Sequence, residues 1–303
     1  MSGDAPPPKD EALAAALGEE IGRARGRPFD AIALRPAGGG CIHRAFVLEG
    51  RGERCFVKLN ETAALPMFEA ERDGLEALAA AGAFRVPRAL GCGIIDGQAW
   101  LALEWLELGS IGGRQEAVAF GRALAALHRA SGPLHGWRRD NFIGATPQAN
   151  PRRESWPRFF AEARLRPQLA LAATRHPALA ERGELLAEKL PALFLDYRPL
   201  PSLLHGDLWH GNAAMCAGQP AVFDPAVYWG DRETDLAMTE LFGGIPESFY
   251  AAYREAWPLT QGQAARRTLY QLYHVLNHLN LFGSGYLRQA ERMIGGLLAE
   301  LRG

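Results

Sequence analysis

The chain has 303 residues, of which 48% are apolar and 22% are charged, and its formal net charge at pH 7 is −1. This length suits one large domain or two closely packed lobes, with enough apolar residues for a sizeable core. The balanced charge predicts neither nucleic-acid binding nor attachment to an anionic membrane. No apolar run approaches the roughly 18 residues of a membrane-spanning helix, so we expect neither nucleic acid nor membrane among the partners.

Two features of the sequence predict a cytoplasmic protein. Residues 1–9 contain three prolines and no apolar signal-peptide core, so we expect a short disordered tail there. The dispersed cysteines form no Cys-x-x-Cys pair, which predicts reduced thiols without a disulfide framework or structural zinc: Cys41, Cys55, Cys92 and Cys216. Cys41 follows three glycines, and two interpretations stay open: an ordinary loop residue of a monomer, or a thiol of lowered pKa whose oxidation links two chains.

The first third of the chain alternates helical and strand patterns. Leu13, Leu17 and Ile21 recur every four residues, which predicts a helix over 10–24. Three antiparallel strands are expected next, with a glycine-rich turn between the first two and a hairpin between the last two, at 32–34, 44–48 and 54–59. A helix that ends at Gly82 and two strands around Asp96-Gly97 complete this part, at 62–81, 91–96 and 98–105.

Helical patterns dominate after residue 113. They predict helices over 115–129, 156–173, 178–190, 232–242 and 264–282. The only strands expected here are 213–216 and 220–223, which flank a turn. A sheet-rich first third and a helical remainder predict an α+β protein of two lobes, an N-lobe over 10–107 and a C-lobe over 108–303.

The chemistry is carried by Leu-His-Gly-Asp-Leu-Trp-His-Gly-Asn over 204–212 and by Phe-Asp-Pro over 223–225. Asn212 follows Asp207 by five positions, and Asp224 follows Asn212 by twelve. Protein kinases place, in this order, an Asp that accepts the proton of the substrate hydroxyl and an Asn and an Asp that hold Mg²⁺. Each residue alone is more often structural. The three at these intervals predict a kinase of a small molecule, with Asp207 as the base.

Lys58 is the expected contact to the ATP phosphates. It lies among apolar neighbours in the third predicted strand, where an isolated lysine is otherwise a solvated edge residue. The next helix carries Glu69 and Glu71, and a strand lysine paired with a helix glutamate grips the α and β phosphates in kinases. We prefer Glu71 as the partner because it lies just off the apolar face that includes Leu75.

Two segments complete the expected ATP site. The glycine cluster lacks the full G-x-G-x-x-G pattern, and such clusters mostly turn a chain, but its place ahead of Lys58 favours a phosphate loop formed by Gly39, Gly40 and Cys41. The connector between the lobes comprises Glu104, Trp105 and Leu106. We expect its peptide groups to hydrogen-bond the adenine edge. The alternative is a plain strand end.

Together these residues resemble the fructosamine/ketosamine-3-kinases, a family of the protein-kinase-like superfamily that also includes aminoglycoside phosphotransferases. The similarity covers nearly the whole chain, and three of its blocks are absent from kinases in general: 140–144, 156–160 and 276–283. The resemblance implies phosphorylation of the O-3 hydroxyl of ketosamines, the Amadori adducts of amines and proteins, with ATP and Mg²⁺. The product then breaks down and frees the amine, so the implied role is deglycation repair. Free and protein-bound ketosamines both remain open as substrates.

Three residues are expected to contact the sugar. Trp209 lies two positions after Asp207 and offers an apolar platform, although a Trp in a loop is often a core anchor. His278 lies in an otherwise apolar helix, where a satisfied core histidine is the rival interpretation. Asn141, in the block at 140–144, is the third candidate.

Other residues near the catalytic loop receive different interpretations. His205 and Asp235 are expected to brace the loop backbone rather than to touch the substrate. His210 departs from many similar sequences, which carry a small residue such as Ser there, and this departure bears on substrate preference.

Other functions compete with this one. An aminoglycoside phosphotransferase has polycationic acceptors and should show an acidic rim, whereas this chain ends Leu-Ala-Glu-Leu-Arg-Gly without an acidic cluster. A catalytically inactive kinase-like binding protein normally lacks the lysine, the base or the metal Asp, and all three are present. A protein-serine kinase is disfavoured because Arg does not precede Asp207, and because Asp224-Pro225 is expected to lead almost directly into a helix.

Overall fold

The computed structural model of the chain describes residues 9–38 and 42–301, so the expected phosphate loop of Gly39, Gly40 and Cys41 lies outside the described residues. The chain divides into two compact units, one up to Glu76 together with Val86–Glu107, the other Ala77–Arg85 with everything from Leu108 on. The sequence predicts one lobe over 10–107, and the structure divides this range differently. Residues 77–85 group with the second unit, where Arg85 donates to the Pro220 carbonyl at 2.8 Å.

The first unit is built on an antiparallel sheet in the spatial order β1-β2-β3-β5-β4. Lys58 lies on β3, in the middle of the sheet, between Ala45 and Leu101 of the neighbouring strands. The predicted turn at Asp96 and Gly97 is confirmed, with φ of 46° and 72°, as a tight two-residue hairpin requires. The strands are β1 (Ala31–Pro36), β2 (Arg44–Gly50), β3 (Glu53–Glu61), β4 (Ala89–Ile95) and β5 (Gln98–Glu104).

Helix α1 (Lys9–Arg25) covers the core of this sheet. It buries Leu17 and Ile21, which are fully inaccessible, in a cluster with Val57 and Trp100 of the sheet. Helix α2 (Leu65–Ala81) follows a short 3₁₀ turn, Thr62–Ala64, and ends at Gly82 with a φ of 68°. Glycine tolerates this left-handed conformation, which explains why the helix stops where the sequence predicts.

The second unit is mostly helical. Its helices are α3 (Arg114–Arg129), α4 (Trp156–Phe160), α5 (Arg166–Ala173), α6 (Pro177–Lys189), α7 (Glu233–Leu241), α8 (Glu247–Ala256), α9 (Gln263–Phe282) and α10 (Leu287–Glu300). A π-helical turn, Ala161–Leu165, joins α4 to α5, so the helix predicted over 156–173 is continuous with one wide turn. Within residues 9–38 and 42–301, the structure contains no helix that is both long and apolar enough to cross a membrane.

Short strands accompany these helices. They are β6 (Leu108–Gly109), β7 (Asn141–Ile143), β8 (Thr146–Gln148), β9 (Ser202–Leu204), β10 (Ala213–Cys216), β11 (Gln219–Val222) and β12 (Tyr228–Gly230). They form the sheets β11-β10-β6, β12-β9 and β7-β8. The expectation of only two strands in this part is therefore wrong, because segments of two or three residues are too short to show an alternating pattern. Asp224-Pro225 also does not lead directly into a helix, since β12 intervenes before α7 begins.

Candidate active site

One small sheet brings together the two loops that carry the predicted catalytic residues. β9 pairs antiparallel with β12. Asp207 comes three residues after β9 ends, and Asp224 comes four residues before β12 begins. The end of one strand lies beside the start of its antiparallel neighbour. The N–H of Ala226 accordingly donates to the carbonyl of His205 at 2.8 Å, so the two loops are in direct contact.

Asn212 links the same two loops through its side chain. Its Nδ2 donates to the Asp207 backbone carbonyl at 2.9 Å and to the Asp207 carboxylate at 3.3 Å. It also lies 3.5 Å from the backbone carbonyl of Asp224. With Nδ2 occupied in this way, Oδ1 is the atom that Asn212 can offer to a metal ion. The structure therefore brings together the three residues of the predicted constellation.

The carboxyl group of Asp207 lies in a crowded electrostatic environment. Burial, the Asp224 carboxylate and the Asp235 carboxylate raise its pKa to about 7, against the opposing hydrogen bond from Asn212. A divalent cation with a preference for oxygen ligands relieves such repulsion, so the donor set fits Mg²⁺. Within the described ranges, no cluster of three or more His, Cys, Asp or Glu side chains is placed to hold a metal. Asn212 and Asp224 are the residues that would hold such an ion, which commonly keeps water and phosphate oxygens among its ligands.

Asp235, near the start of α7, braces the catalytic loop, which confirms the expectation for it. Its carboxylate accepts the N–H of His205 at 2.7 Å and the N–H of Gly206 at 2.9 Å. Burial raises the pKa of Asp235, but the hydrogen bond and charge of His128 and the other contacts outweigh burial, and the pKa lies below its usual range. The carboxylate is therefore ionised and holds the backbone directly before Asp207.

His205 also braces the loops, as expected. Its Nδ1 accepts the N–H of Asp207 at 3.3 Å, and its Nε2 lies 3.0 Å from the carbonyl of Phe223. This pattern places the ring proton on Nε2. Burial lowers the pKa of His205, so the neutral ring joins the loop of Asp207 to the loop of Asp224.

His128 is a residue of this site that sequence reasoning missed. It lies in the last turn of α3, is fully buried, and contacts the Tyr253 hydroxyl at 2.8 Å and the Asp235 carboxylate at 3.1 Å. The one indication in the sequence was a histidine on the apolar face of the predicted helix, four residues after Leu124. Its partners follow it in sequence by 107 and 125 positions, and no local pattern predicts them.

In the first unit, Lys58 and Glu71 form the predicted ion pair. The Lys58 Nζ lies 2.7 Å from the Glu71 carboxylate, and Lys58 is only 6% exposed. The preference for Glu71 over Glu69 is thus confirmed. A buried pair of this kind holds the amine in one position, which prepares it to meet an anionic group.

The connector after β5 is held by hydrogen bonds to other residues of the first unit. The Glu104 N–H donates to the Arg88 carbonyl at 2.8 Å, and the Trp105 indole N–H donates to Glu107 at 2.9 Å. No backbone hydrogen bond to another described residue is found for the peptide groups of Trp105 and Leu106. The contact of these groups with a nucleotide base stays a prediction.

Trp209 packs on its own loop and remains half-buried. Its indole lies against the backbone of Gly211, where an added Cβ atom would come within 2.4 Å of the ring. The ring also meets His210 edge to face, with 4.8 Å between centroids. Trp209 therefore presents an aromatic surface two residues after Asp207.

His278 is half-buried within an aromatic group. Its Nδ1 lies 2.8 Å from the His274 carbonyl, so Nδ1 carries the proton and Nε2 is an acceptor. The rings of Phe242, Phe282 and Tyr286 lie within 4.5 to 5.2 Å of it. Burial lowers the pKa of His278. A neutral acceptor of this kind suits a hydroxyl donor.

Asn141 has the environment of a structural residue. It is 4% exposed, its Nδ2 donates to the Val227 carbonyl at 2.8 Å, and its Oδ1 accepts from Gln148 and Asn150 at 2.8 and 2.9 Å. Protein groups thus occupy both ends of the amide. The structure contradicts the expected contact between Asn141 and the sugar.

A five-stranded antiparallel sheet followed by a helical unit with the Asp207, Asn212 and Asp224 constellation defines the protein-kinase-like fold. Structures of an aminoglycoside phosphotransferase, APH(4)-Ia, share this fold with a TM-score of 0.61 at 16% identity over 96% of this chain and 98% of that chain. A crystal structure described as a "Putative fructosamine-3-kinase" from Haemophilus somnus agrees better, with a TM-score of 0.85 at 29% identity over 93% of this chain and 96% of that chain.

Sequence comparisons give the family. A family model described as "Fructosamine kinase" matches residues 14–300. A "Probable ketoamine kinase" of Synechocystis is 46% identical, covering 92% of this chain and 94% of that protein. The chloroplastic "Protein-ribulosamine 3-kinase" of Arabidopsis thaliana is 37% identical, covering 98% of this chain and 93% of that protein. The chain belongs to the fructosamine kinase family.

Proposed function

We propose that the protein transfers the γ-phosphoryl group of ATP to the O-3 hydroxyl of ketosamines and thereby serves protein deglycation. The observation that carries the proposal is the contact of Asn212 with both Asp207 and Asp224, in a chain of the fructosamine kinase family. The names of the relatives, ketoamine kinase and protein-ribulosamine 3-kinase, support this choice of acceptor.

The residues of the second unit have distinct roles in this reaction. Asp207 orients the sugar hydroxyl and accepts its proton as the phosphoryl group transfers. Asn212 and Asp224 hold Mg²⁺, which neutralises the charge on the phosphates when it is bound. Asp235 and His205 hold the backbone of the two loops in place, so that the loops of Asp207 and Asp224 are already in contact before the substrate binds.

The residues of the first unit bind the nucleotide. Lys58, held by Glu71, contacts the phosphates, as the corresponding pair does in kinases. The peptide groups of Trp105 and Leu106 bind the adenine edge. The phosphate loop assigned from the sequence, Gly39, Gly40 and Cys41, lies outside the described residues.

Trp209 and His278 contact the acceptor. The indole provides the apolar face on which a sugar ring or open chain lies, and the Nε2 of His278 accepts a hydrogen bond from a sugar hydroxyl. The acceptors are ribulosamine or fructosamine adducts, either free or on protein amines.

A coupled assay of ADP release tests the proposal. The wild-type protein should turn over a ribulosamine or a fructosamine in the presence of Mg²⁺ and should leave kanamycin unchanged. Asp207→Asn should lower kcat by roughly 10² to 10⁴, the usual contribution of a positioned general base, and should still bind ADP. Full turnover by Asp207→Asn would remove Asp207 as the base. Turnover of kanamycin alone would favour an aminoglycoside kinase.

A further inference from the structure

The hairpin β7–β8 holds the segment of chain that follows Asp224. Nδ2 of Asn141 donates to the Val227 carbonyl at 2.8 Å, and Nε2 of Gln148 lies 3.4 Å from the Ala226 carbonyl. These two carbonyls come two and three residues after Asp224. Two buried amides of the hairpin therefore contact the backbone of the metal-ligand loop.

The Ala226 carbonyl also contacts the catalytic loop. A Cβ atom on Gly206 would lie only 2.0 Å from it, so the two backbones are packed together at this point. Ala226 is thus fixed by Gln148 and by Gly206, and Gly206 directly precedes Asp207. The position of this one carbonyl is coupled to both catalytic loops.

Further side chains immobilise the two amides. Asn150 donates to Oδ1 of Asn141 at 2.9 Å, and the Tyr273 hydroxyl donates to Oε1 of Gln148 at 2.6 Å. Arg164 in turn donates to Oδ1 of Asn150 at 2.6 Å. Buried polar networks of this kind restrict the conformations of their members, so the hairpin amides have little freedom to reorient.

Arg164 is a buried cation at the base of this network. It lies in the π-helical turn between α4 and α5, is 0% exposed, and has its guanidinium 4.0 Å from the Tyr228 ring and 4.7 Å from the Phe159 ring. Burial of a guanidinium is costly unless hydrogen bonds and aromatic faces compensate. The hydrogen bonds of Arg164 to the Ala149 carbonyl and to Asn150, together with these two rings, hold the guanidinium in place.

The three sequence blocks that carry the family resemblance each contribute a residue to the hairpin or to its surroundings. Asn141 lies in the block 140–144, and Phe159, which stacks on Arg164, lies in the block 156–160. Asn277, in the block 276–283, has its Nδ2 3.3 Å from the Ile143 carbonyl.

We propose that Asn141 and Gln148 are positioning residues for phosphoryl transfer, which act through the Ala226 and Val227 carbonyls to fix Asp224 as a metal ligand. The inference rests on the proposed function, since it takes the metal role of Asp224 from there. Asp224 has a φ of 56°, a conformation that is uncommon for residues other than glycine and that the surroundings must maintain. The hairpin amides supply that restraint.

Two substitutions test the proposal. Asn141→Leu removes the donor to Val227 at similar size, and Gln148→Met removes the donor to Ala226. Residues that orient metal ligands typically affect metal affinity or activity about 10- to 100-fold. We expect kcat to fall about tenfold or more and the Mg²⁺ concentration for half-maximal rate to rise about fivefold or more. The KM for a small fructosamine should stay within about twofold, because neither residue touches the sugar.

Asn280→Leu is the matched control. Nδ2 of Asn280 donates to the backbone carbonyl of Gln168 at 3.0 Å and to its side-chain oxygen at 2.8 Å, and neither bond involves residues 224–227. This variant should lose thermal stability but keep the wild-type Mg²⁺ requirement. An equal loss in Asn280→Leu, or a raised acceptor KM with an unchanged Mg²⁺ requirement in Asn141→Leu, would overturn the proposal. If Asn141→Leu fails to fold, Asn141→Asp keeps the size and the acceptor atoms but cannot donate to Val227.

Calorimetric titration with ADP separates this inference from the proposed function, because it needs no acceptor. The wild-type protein should bind ADP more tightly with Mg²⁺ than without it. In Asn141→Leu this gain in ADP affinity should be about tenfold smaller. An equal increase in both proteins overturns the positioning role alone. Failure of the wild-type protein to phosphorylate any ketosamine overturns the proposed function alone.

Discussion

Asp207 combines two properties that oppose each other in the folded protein. A base that accepts a hydroxyl proton works best with a pKa near the operating pH, and its pKa of about 7 meets that need. The burial and the neighbouring carboxylates that raise this pKa also make the ionised form costly. The loop is therefore more stable when Asp207 is protonated or when a cation is present.

Replacement of Asp207 by Asn should stabilise the metal-free protein at alkaline pH. The folded-state pKa lies above the ordinary value of 3.8, so the wild-type protein loses stability as the pH rises from about 4 to 7 and the variant does not. We expect no gain at pH 4 and a gain of about 1 to 3 kcal/mol at pH 8. Urea unfolding in EDTA measures the difference. A gain that is the same at both pH values would contradict the raised pKa.

The ion pair of Lys58 and Glu71 should contribute strongly to the stability of the first unit. Glu71→Ala removes a carboxylate partner of the buried Lys58 ammonium, and breaking a buried ion pair typically costs about 3 to 5 kcal/mol. Glu76→Ala is the control on the same helix, because Glu76 forms only an exposed pair with Arg72 at 3.8 Å, worth less than about 1 kcal/mol. Similar midpoints for the two variants in thermal unfolding would show that the pair is not buried as described.

At the scale of elements, local patterns predict most of the long helices and the five strands of the first unit, but neither α8 nor α10. Four-residue spacing predicts α1, and Asp96-Gly97 predicts the β4–β5 turn, because both depend on neighbours in sequence. The pairing of β9 with β12, which brings the loops of Asp207 and Asp224 together, depends on residues 24 to 28 positions apart in strands of three residues. The burial of Asn141 likewise depends on the distant Val227. The block 140–144 therefore drew attention to Asn141 but did not predict that its side chain is buried against Val227.

Gly206 is the element-scale test of the contact between the two catalytic loops. Its φ is 82°, and a Cβ there would meet the Ala226 carbonyl at 2.0 Å, so Gly206→Ala should separate the loops. We expect a loss of more than about 2 kcal/mol in stability and of most activity. Gly218→Ala, at a φ of 79° with nothing within 4 Å, should cost only about 1 kcal/mol. Equal effects in unfolding and turnover would show that the close contact is absent.

At the scale of the whole molecule, the proposed reaction requires both units. The first carries Lys58 and Glu71, and the second carries Asp207, Asn212 and Asp224. The composition predicts neither nucleic-acid nor membrane partners, and the spacing of five and twelve positions predicts the reaction class. Neither the composition nor the spacing specifies the acceptor. That choice comes from family membership, which rests on the whole chain.

Nucleotide binding should stabilise the whole protein. A ligand at 100 times its Kd stabilises the folded state by about 2.7 kcal/mol, so ADP with Mg²⁺ should raise the melting temperature by several degrees. EDTA should remove most of this shift, and Lys58→Ala should reduce it. An equal shift from ADP with and without Mg²⁺ would argue against the metal roles of Asn212 and Asp224.

The most direct test of the central claim is to identify the phosphorylated atom. The protein would be incubated with ATP, Mg²⁺ and the fructosamine of a small amine, and the product analysed by phosphorus–proton correlation NMR. We predict a single phosphate ester on O-3 of the sugar that is absent with Asp207→Asn. A phosphate on another oxygen, or ATP consumption without any sugar phosphate, would contradict the account.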